Sequence, residues 1–205
     1  MPQNTADILA AAEIRASLEA KRCWYAYVSV GCTFAMDLGR KIRRDAEEVA
    51  AIADLRRRRE AKGIPVTPHP AEYDTLKGEN QLVVWCSWRM ADSNGPMASS
   101  DSDRDTCEAA IGQVIGKTVR HVEITEGWDF RLEFTTGLVL SMFPDHVGSD
   151  ASMDTNWELW RPDRAYFVET NLTCRVTDTQ DRTLCPQPGT RRWQLAKPHT
   201  EARGA

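Results

Sequence analysis

The chain has no apolar run approaching the roughly 18 residues that a membrane-spanning helix requires. Its amino terminus lacks the basic-then-apolar pattern of a secretory signal, so a cytoplasmic protein is expected. None of its six cysteines (Cys23, Cys32, Cys86, Cys107, Cys174, Cys185) belongs to a C-x-x-C pair, which removes the usual zinc and redox motifs and leaves reduced thiols as the expectation. Cys23, Cys32 and Cys86 sit in apolar runs, where a thiol behaves as a small hydrophobe. Also missing are H-E-x-x-H, an EF-hand loop, a nucleophile elbow and a glycine-rich phosphate loop. No cofactor and no metal is expected. A net charge of −4 over 205 residues argues against a surface that tracks nucleic acid or anionic lipid throughout.

What is there is the composition of a globular protein, 41% hydrophobic and 27% charged, in a chain long enough to bury a core without staples. Thr5 to Lys21 places Ile8, Leu9, Ala12 and Ala16 at helical spacing. From Cys23 the texture turns aromatic and β-branched (Trp24, Tyr25, Tyr27, Val28), and Thr33 to Leu38 alternates with period two before Gly39. Between Arg40 and Gly63, Ile42, Val49, Ile52 and Leu55 form one narrow apolar stripe among charges, predicting a second helix ended by Gly63 and Pro65. Ile64 to Glu79, with three prolines, reads as an extended connector. Gln81 to Met90 reads as a central strand, Ala91 to Arg104 as a loop, and Asp105 to Ile111 as a short helix capped by Asp105.

The second half alternates more clearly. Thr118 to Ile124, Trp128 to Phe134 and Leu138 to Phe143 are strands, with Gly137 supplying the positive φ of a tight hairpin. Asn156 to Arg161 and Ala165 to Thr170 form a further hairpin turned at Pro162 and Asp163. The tail beyond Asp178 is expected to be irregular. The fold class is therefore α+β and mainly antiparallel β: two packed β-meanders, an N-terminal helix (1–22), a β-rich domain (23–178) with a helical insertion (40–63), and a tail (179–205). Thr33 to Gly39 and Asp129 to Phe134 share a phrase, each followed by a strand ending in Trp-Arg (Trp88-Arg89 and Trp160-Arg161). Duplication and chance likeness of amphipathic strands both account for it.

The phrases Val114 to Glu123, Asp129 to Phe134, Gly137 to Leu140, Phe143-Pro144 and Asn156 to Trp160 resemble a widespread set of small uncharacterised bacterial β-rich proteins, and also immunity proteins that accompany toxins. The likeness covers 24–38 and 81–170. Being carried by structural phrases, it implies a fold and transfers no catalytic residue.

Three functional readings follow. The first is a non-enzymatic protein-binding module of immunity or phage-defence type, docking through Trp88, Trp128, Trp157, Trp160 and Arg161, because aromatic and arginine side chains dominate binding hot spots. The acidic balance suits a basic protein partner. The second is a nucleic-acid accessory protein using Arg56, Arg57, Arg58, Arg59 and Lys62, against which stands a solvated helix compensated by Asp45, Glu47, Glu48 and Asp54. The third is an enzyme with a site near Asp145 and His146, whose loop composition equally suits turn-making. No membrane partner is expected.

Overall fold

A computed structural model describes residues 5–63, 70–145 and 155–179. The elements are α1 (Thr5–Leu18), β1 (Cys23–Val28), β2 (Phe34–Arg43), α2 (Ala46–Ala61), β3 (Leu76–Val84), β4 (Ser87–Asp92), β5 (Gly95–Ser99), α3 (Arg104–Gly112), β6 (Val119–Ile124), β7 (Phe130–Phe134), β8 (Val139–Phe143), β9 (Thr155–Trp160), β10 (Arg164–Glu169) and β11 (Cys174–Asp178). The strands form two antiparallel sheets, in the orders β1-β2-β3-β9-β10-β11 and β5-β4-β8-β7-β6. Their inner faces bury Phe34, Met36, Leu38, Leu82, Val84, Trp157 and Leu159 against Trp88, Met90, Phe130, Leu132, Phe134, Leu140 and Met142. Two half-apolar sheets can only hide their apolar faces in this way.

One unit occurs twice. The first unit, α1 to β5, places a three-strand meander in one sheet and a hairpin in the other; the second, α3 to β10, does the same with the sheets exchanged. Register equates the parts. Val84 lies opposite Trp157 and Leu82 opposite Leu159, while Met142 lies opposite Trp88 and Leu140 opposite Met90. Trp88 therefore corresponds to Trp157, three residues before the Trp-Arg ending that the sequence alone aligns. The first strand of each unit carries a bulge at the same place, between Cys23 and Tyr25 and between Val119 and His121.

The interlock repeats as well. Cys32 and Trp128 each stand two residues before the equivalent Phe34 and Phe130, and both adopt a left-handed backbone (φ 57° and 64°) that is uncommon for residues other than glycine. The Cys32 carbonyl accepts the Trp88 indole N–H at 2.8 Å, and the Trp128 carbonyl accepts that of Trp157 at 3.2 Å. Each helix packs on the first strand of the other unit, α1 on β6 and α3 on β1. Arg15 of α1 donates to the Ile124 carbonyl at 2.7 Å, and Arg104 of α3 to the Val28 and Ser29 carbonyls at 3.2 and 3.1 Å. The units meet at an isolated bridge between Arg22 and Thr118.

Several expectations are corrected. β2 does not stop at Gly39 but bulges there and runs to Arg43, so the second helix starts only at Ala46. Asp45 caps it, accepting the Glu48 N–H at 2.8 Å while the Glu48 carboxylate accepts the Asp45 N–H at 3.2 Å, a full capping box. The expected connector already contains the start of β3 at Leu76; residues 64–69 of it lie outside the described residues. Gln81 to Met90 is not one strand. The chain leaves the six-stranded sheet after Val84 and enters the five-stranded one at Ser87, which is why its apolar run shows no alternation. The polar stretch after Met90 holds the β4–β5 hairpin, and Asp103, not Asp105, caps α3 by accepting the Thr106 N–H at 2.9 Å. The last hairpin gains a third strand, β11; the tail from 180 lies outside the described residues. No helix among the described residues is long and apolar enough to cross a membrane.

Candidate functional site

The tryptophans divide by strand parity. Trp88, Trp128 and Trp157 are at most 1% exposed and form the interior, Trp157 against Phe130 at 4.9 Å and Trp88 against Phe34 at 5.5 Å. The expectation that these three present a docking face is corrected, because side chains buried in the interior offer a partner nothing. A spacing of three residues reverses the side on a strand, so Trp160 is the outward one, half-buried and edge-on to Phe167 at 5.0 Å. Arg161 lies apart from it, beside a shallow cleft of about 300 Å³ lined by Glu13, Ala16, Ser17, Arg161, Asp163 and Arg164. There Tyr166 donates to the Glu13 carboxylate at 2.6 Å and Arg164 donates to it at 2.9 Å, and together they hold Glu13 below the usual carboxylate range.

The basic cluster sits on the last turns of α2, a helix without one buried residue. Its body-facing side rests on ion pairs. Glu48 meets Lys77, Arg56 binds both oxygens of Asp74 at 3.0 and 2.7 Å, and at the base of the arm that α2 makes with the ends of β2 and β3, Lys41 meets Glu72 at 2.6 Å. Arg57 and Arg58 share Asp54 on the exposed side, Arg59 is half-buried, and Lys62 is exposed. The apolar stripe that predicts this helix is therefore only half-covered, with Leu55 38% exposed.

Beneath the arm lies a polar aromatic layer that sequence reasoning missed. Tyr73, from a 3-10 turn at Ala71–Asp74, stacks on Tyr25 at 4.6 Å and lies 6.0 Å from Tyr27, while the Arg44 guanidinium covers the Tyr73 ring at 4.8 Å. Asp37, 1% exposed, accepts the Gly78 N–H at 2.7 Å. Burial raises its carboxyl above the ordinary value despite that bond and nearby Arg44. Burial also raises the Tyr73 and Tyr27 phenols. The repeat explains the layer. The positions equivalent to Tyr25, Tyr27, Ala35 and Asp37 are His121, Glu123, Arg131 and Glu133 in the second unit, where a tight turn at Gly137 replaces the whole arm, His121 and Glu123 are exposed, and Arg131 and Glu133 are half-buried. There they pair among themselves, Arg131 and Arg120 with Glu133 at 2.7 and 2.6 Å.

The outer face of the five-stranded sheet thus carries no covering helix among the described residues. Its middle carries Val139, Ser141 and Phe143 on β8 beside Arg89 and Ala91 on β4, with Phe143 36% exposed and the Arg89 guanidinium 5.7 Å from its ring centroid. Charged β6 and β7 border it on one side. On the other, beyond edge strand β5, lie exposed Asp101, Asp103, Asp105 and Glu108. Phe143 was legible only as the end of a strand, since its exposure depends on which face the sandwich hides.

Asp145, a candidate acid, receives both the N–H and the hydroxyl of Ser87 and so anchors the start of β4; His146 lies outside the described residues. No group of three or more His, Cys, Asp or Glu among the described residues is arranged to hold a metal ion. Compared with known proteins, the chain matches no family model, no curated protein and no solved structure.

Proposed function

We propose that the protein is a non-enzymatic protein-binding module that docks through the outer face of its five-stranded sheet. The observation that carries this reading is the exposed Phe143 ring, with half-buried Val139 on the same face of β8 and the Arg89 guanidinium over the ring, inside a charged rim. An apolar centre with an aromatic and an arginine, bordered by polar groups, is the anatomy of an interface. The acidic margin at Asp101, Asp103, Asp105 and Glu108 favours a partner with a basic surface, through faster and more selective encounter. The immunity-like resemblance adds the class of partner, a toxin domain.

A photo-crosslinking residue at Ser141 tests this. It should give a discrete protein adduct, identified by mass spectrometry. Phe143→Asp should weaken binding of the purified partner by about 30-fold or more, as for a hot-spot residue. A partner that binds Phe143→Asp and Arg89→Glu as well as it binds the wild type refutes the assignment.

A second reading rests on the exposed arginines of α2. Exposed ion pairs such as those of Arg57 and Arg58 to Asp54 contribute little stability, so these side chains are able to exchange a carboxylate for phosphate. Salt-sensitive binding of DNA or RNA that Arg57→Glu with Arg58→Glu abolishes, with Phe143→Asp silent, favours it instead.

A further inference from the structure

Cys32 ends a 3-10 turn in the first unit (Val30–Cys32), and Cys107 lies on α3 of the second. Far apart in sequence, their thiols converge on one acceptor: both donate to the Ser102 carbonyl, at 3.5 and 3.6 Å, which places the two sulfurs around a single oxygen. The position of each is fixed from several sides. The Cys32 carbonyl holds the Trp88 indole, and Cys107 also donates to the Ser99 carbonyl at 3.3 Å. The loop carrying both acceptors is closed by the Ser99 N–H donating to the Ser102 hydroxyl at 3.0 Å. Cys107 is fully buried, whereas Cys32 is half-buried.

We propose that Cys32 and Cys107 are a redox-active dithiol that closes to a disulfide between the two units. Cys32, the less buried member, attacks a sulfur of a small-molecule disulfide such as glutathione disulfide. That S–S bond breaks, one glutathione thiolate leaves, and Cys32 carries the mixed disulfide. Cys107 then gives up its proton to solvent, its thiolate attacks the Cys32 sulfur, and the second glutathione leaves as a thiolate. Two protein thiols are oxidised, one disulfide is reduced to two thiols, and the protons released are taken up by the glutathiones. Burial, and then contact with Cys32, pushes the Cys107 thiol up to about 12. Burial persists in the mixed disulfide, so the closing step is slow at neutral pH and quickens as pH rises, following the thiolate fraction. The product clamps α3 to the turn before β2, at the seam where the second unit's helix covers the first unit's β1.

The test uses the full chain. Reduced protein is held in glutathione disulfide at pH 7 and pH 9, alkylated, digested without reduction and mapped by mass spectrometry. Expected are the Cys32 and Cys107 peptides joined and two hydrogens lighter, formed faster at pH 9, with a thermal midpoint raised on the order of 10 °C and restored by dithiothreitol. Cys107→Ser should stop at a glutathione adduct on Cys32. Mapping of the wild type decides the question even where a variant fails to fold. Recovery of both cysteines in alkylated form from folded protein after prolonged exposure at pH 9, or Cys32 linked to another cysteine of the chain, overturns the proposal.

Discussion

The paired indole-to-carbonyl bonds give the sharpest test of the repeated architecture. Trp157→Phe keeps an aromatic ring against Phe130 and removes the N–H that the Trp128 carbonyl accepts at 3.2 Å. That carbonyl lies in a dry interior, so losing its donor costs about 1–3 kcal/mol. The smaller ring leaves a void of roughly 40 Å³, worth about 1 kcal/mol at about 24 cal/mol per Å³. The expected loss is about 2–4 kcal/mol. Trp88→Phe makes the same void but frees the carbonyl of half-buried Cys32, which water reaches, so its loss should fall near the low end, about 1–2 kcal/mol. Urea unfolding followed by far-UV circular dichroism measures both without depending on tryptophan emission. Equal costs would be tolerable only if both were large. A cost below about 0.5 kcal/mol for Trp157→Phe, or a larger cost at Trp88 than at Trp157, refutes the idea that these bonds hold the left-handed turns.

Two further outcomes follow from the arm and its root. The Cβ of Gly78→Ala would sit 2.7 Å from the Leu38 amide nitrogen and 3.0 Å from the Asp37 carbonyl carbon, a backbone clash that no rotamer relieves. Thermal unfolding should register a loss of about 2 kcal/mol or more, whereas Gly112→Ala, which meets no atom within 4 Å and needs no left-handed backbone, should lose far less. Glu79 joins Lys21 at 2.5 Å and Arg40 at 2.8 Å; burial alone would raise its carboxyl, but these two contacts outweigh burial and lower it. A carboxylate with a lowered folded value stabilises above its unfolded value near 4.5 and loses that contribution as pH falls below it. Glu79→Gln should therefore flatten the fall in stability between about pH 5 and 3; an unchanged slope refutes the role.

Much of the strand content was legible because one sheet face meets apolar matter and the other meets water. Phe130, Leu132 and Phe134 against Arg131 and Glu133 record that difference directly. Where a third layer covers the outer face, the record blurs. β2 reads as an ordinary amphipathic strand ending at Gly39, yet Asp37 is buried under Tyr73 and Arg44, and the strand continues four residues into the root of the arm. The break after Val84 was invisible for another reason, since residues bound for two sheets are apolar in both.

Local pattern by itself determined that antiparallel strands dominate, that a charged helix interrupts them, and that Phe34 and Phe130 stand in related phrases. It could do so because alternation and capping act between neighbours in sequence. Only the tertiary structure decided that the two halves exchange hairpins, that three tryptophans go inside while Phe143 stays out, and that Cys32 and Cys107 share the Ser102 carbonyl. Those outcomes depend on which sheet face is hidden and which loop lies beside which helix, and such proximities are set by packing between residues far apart along the chain.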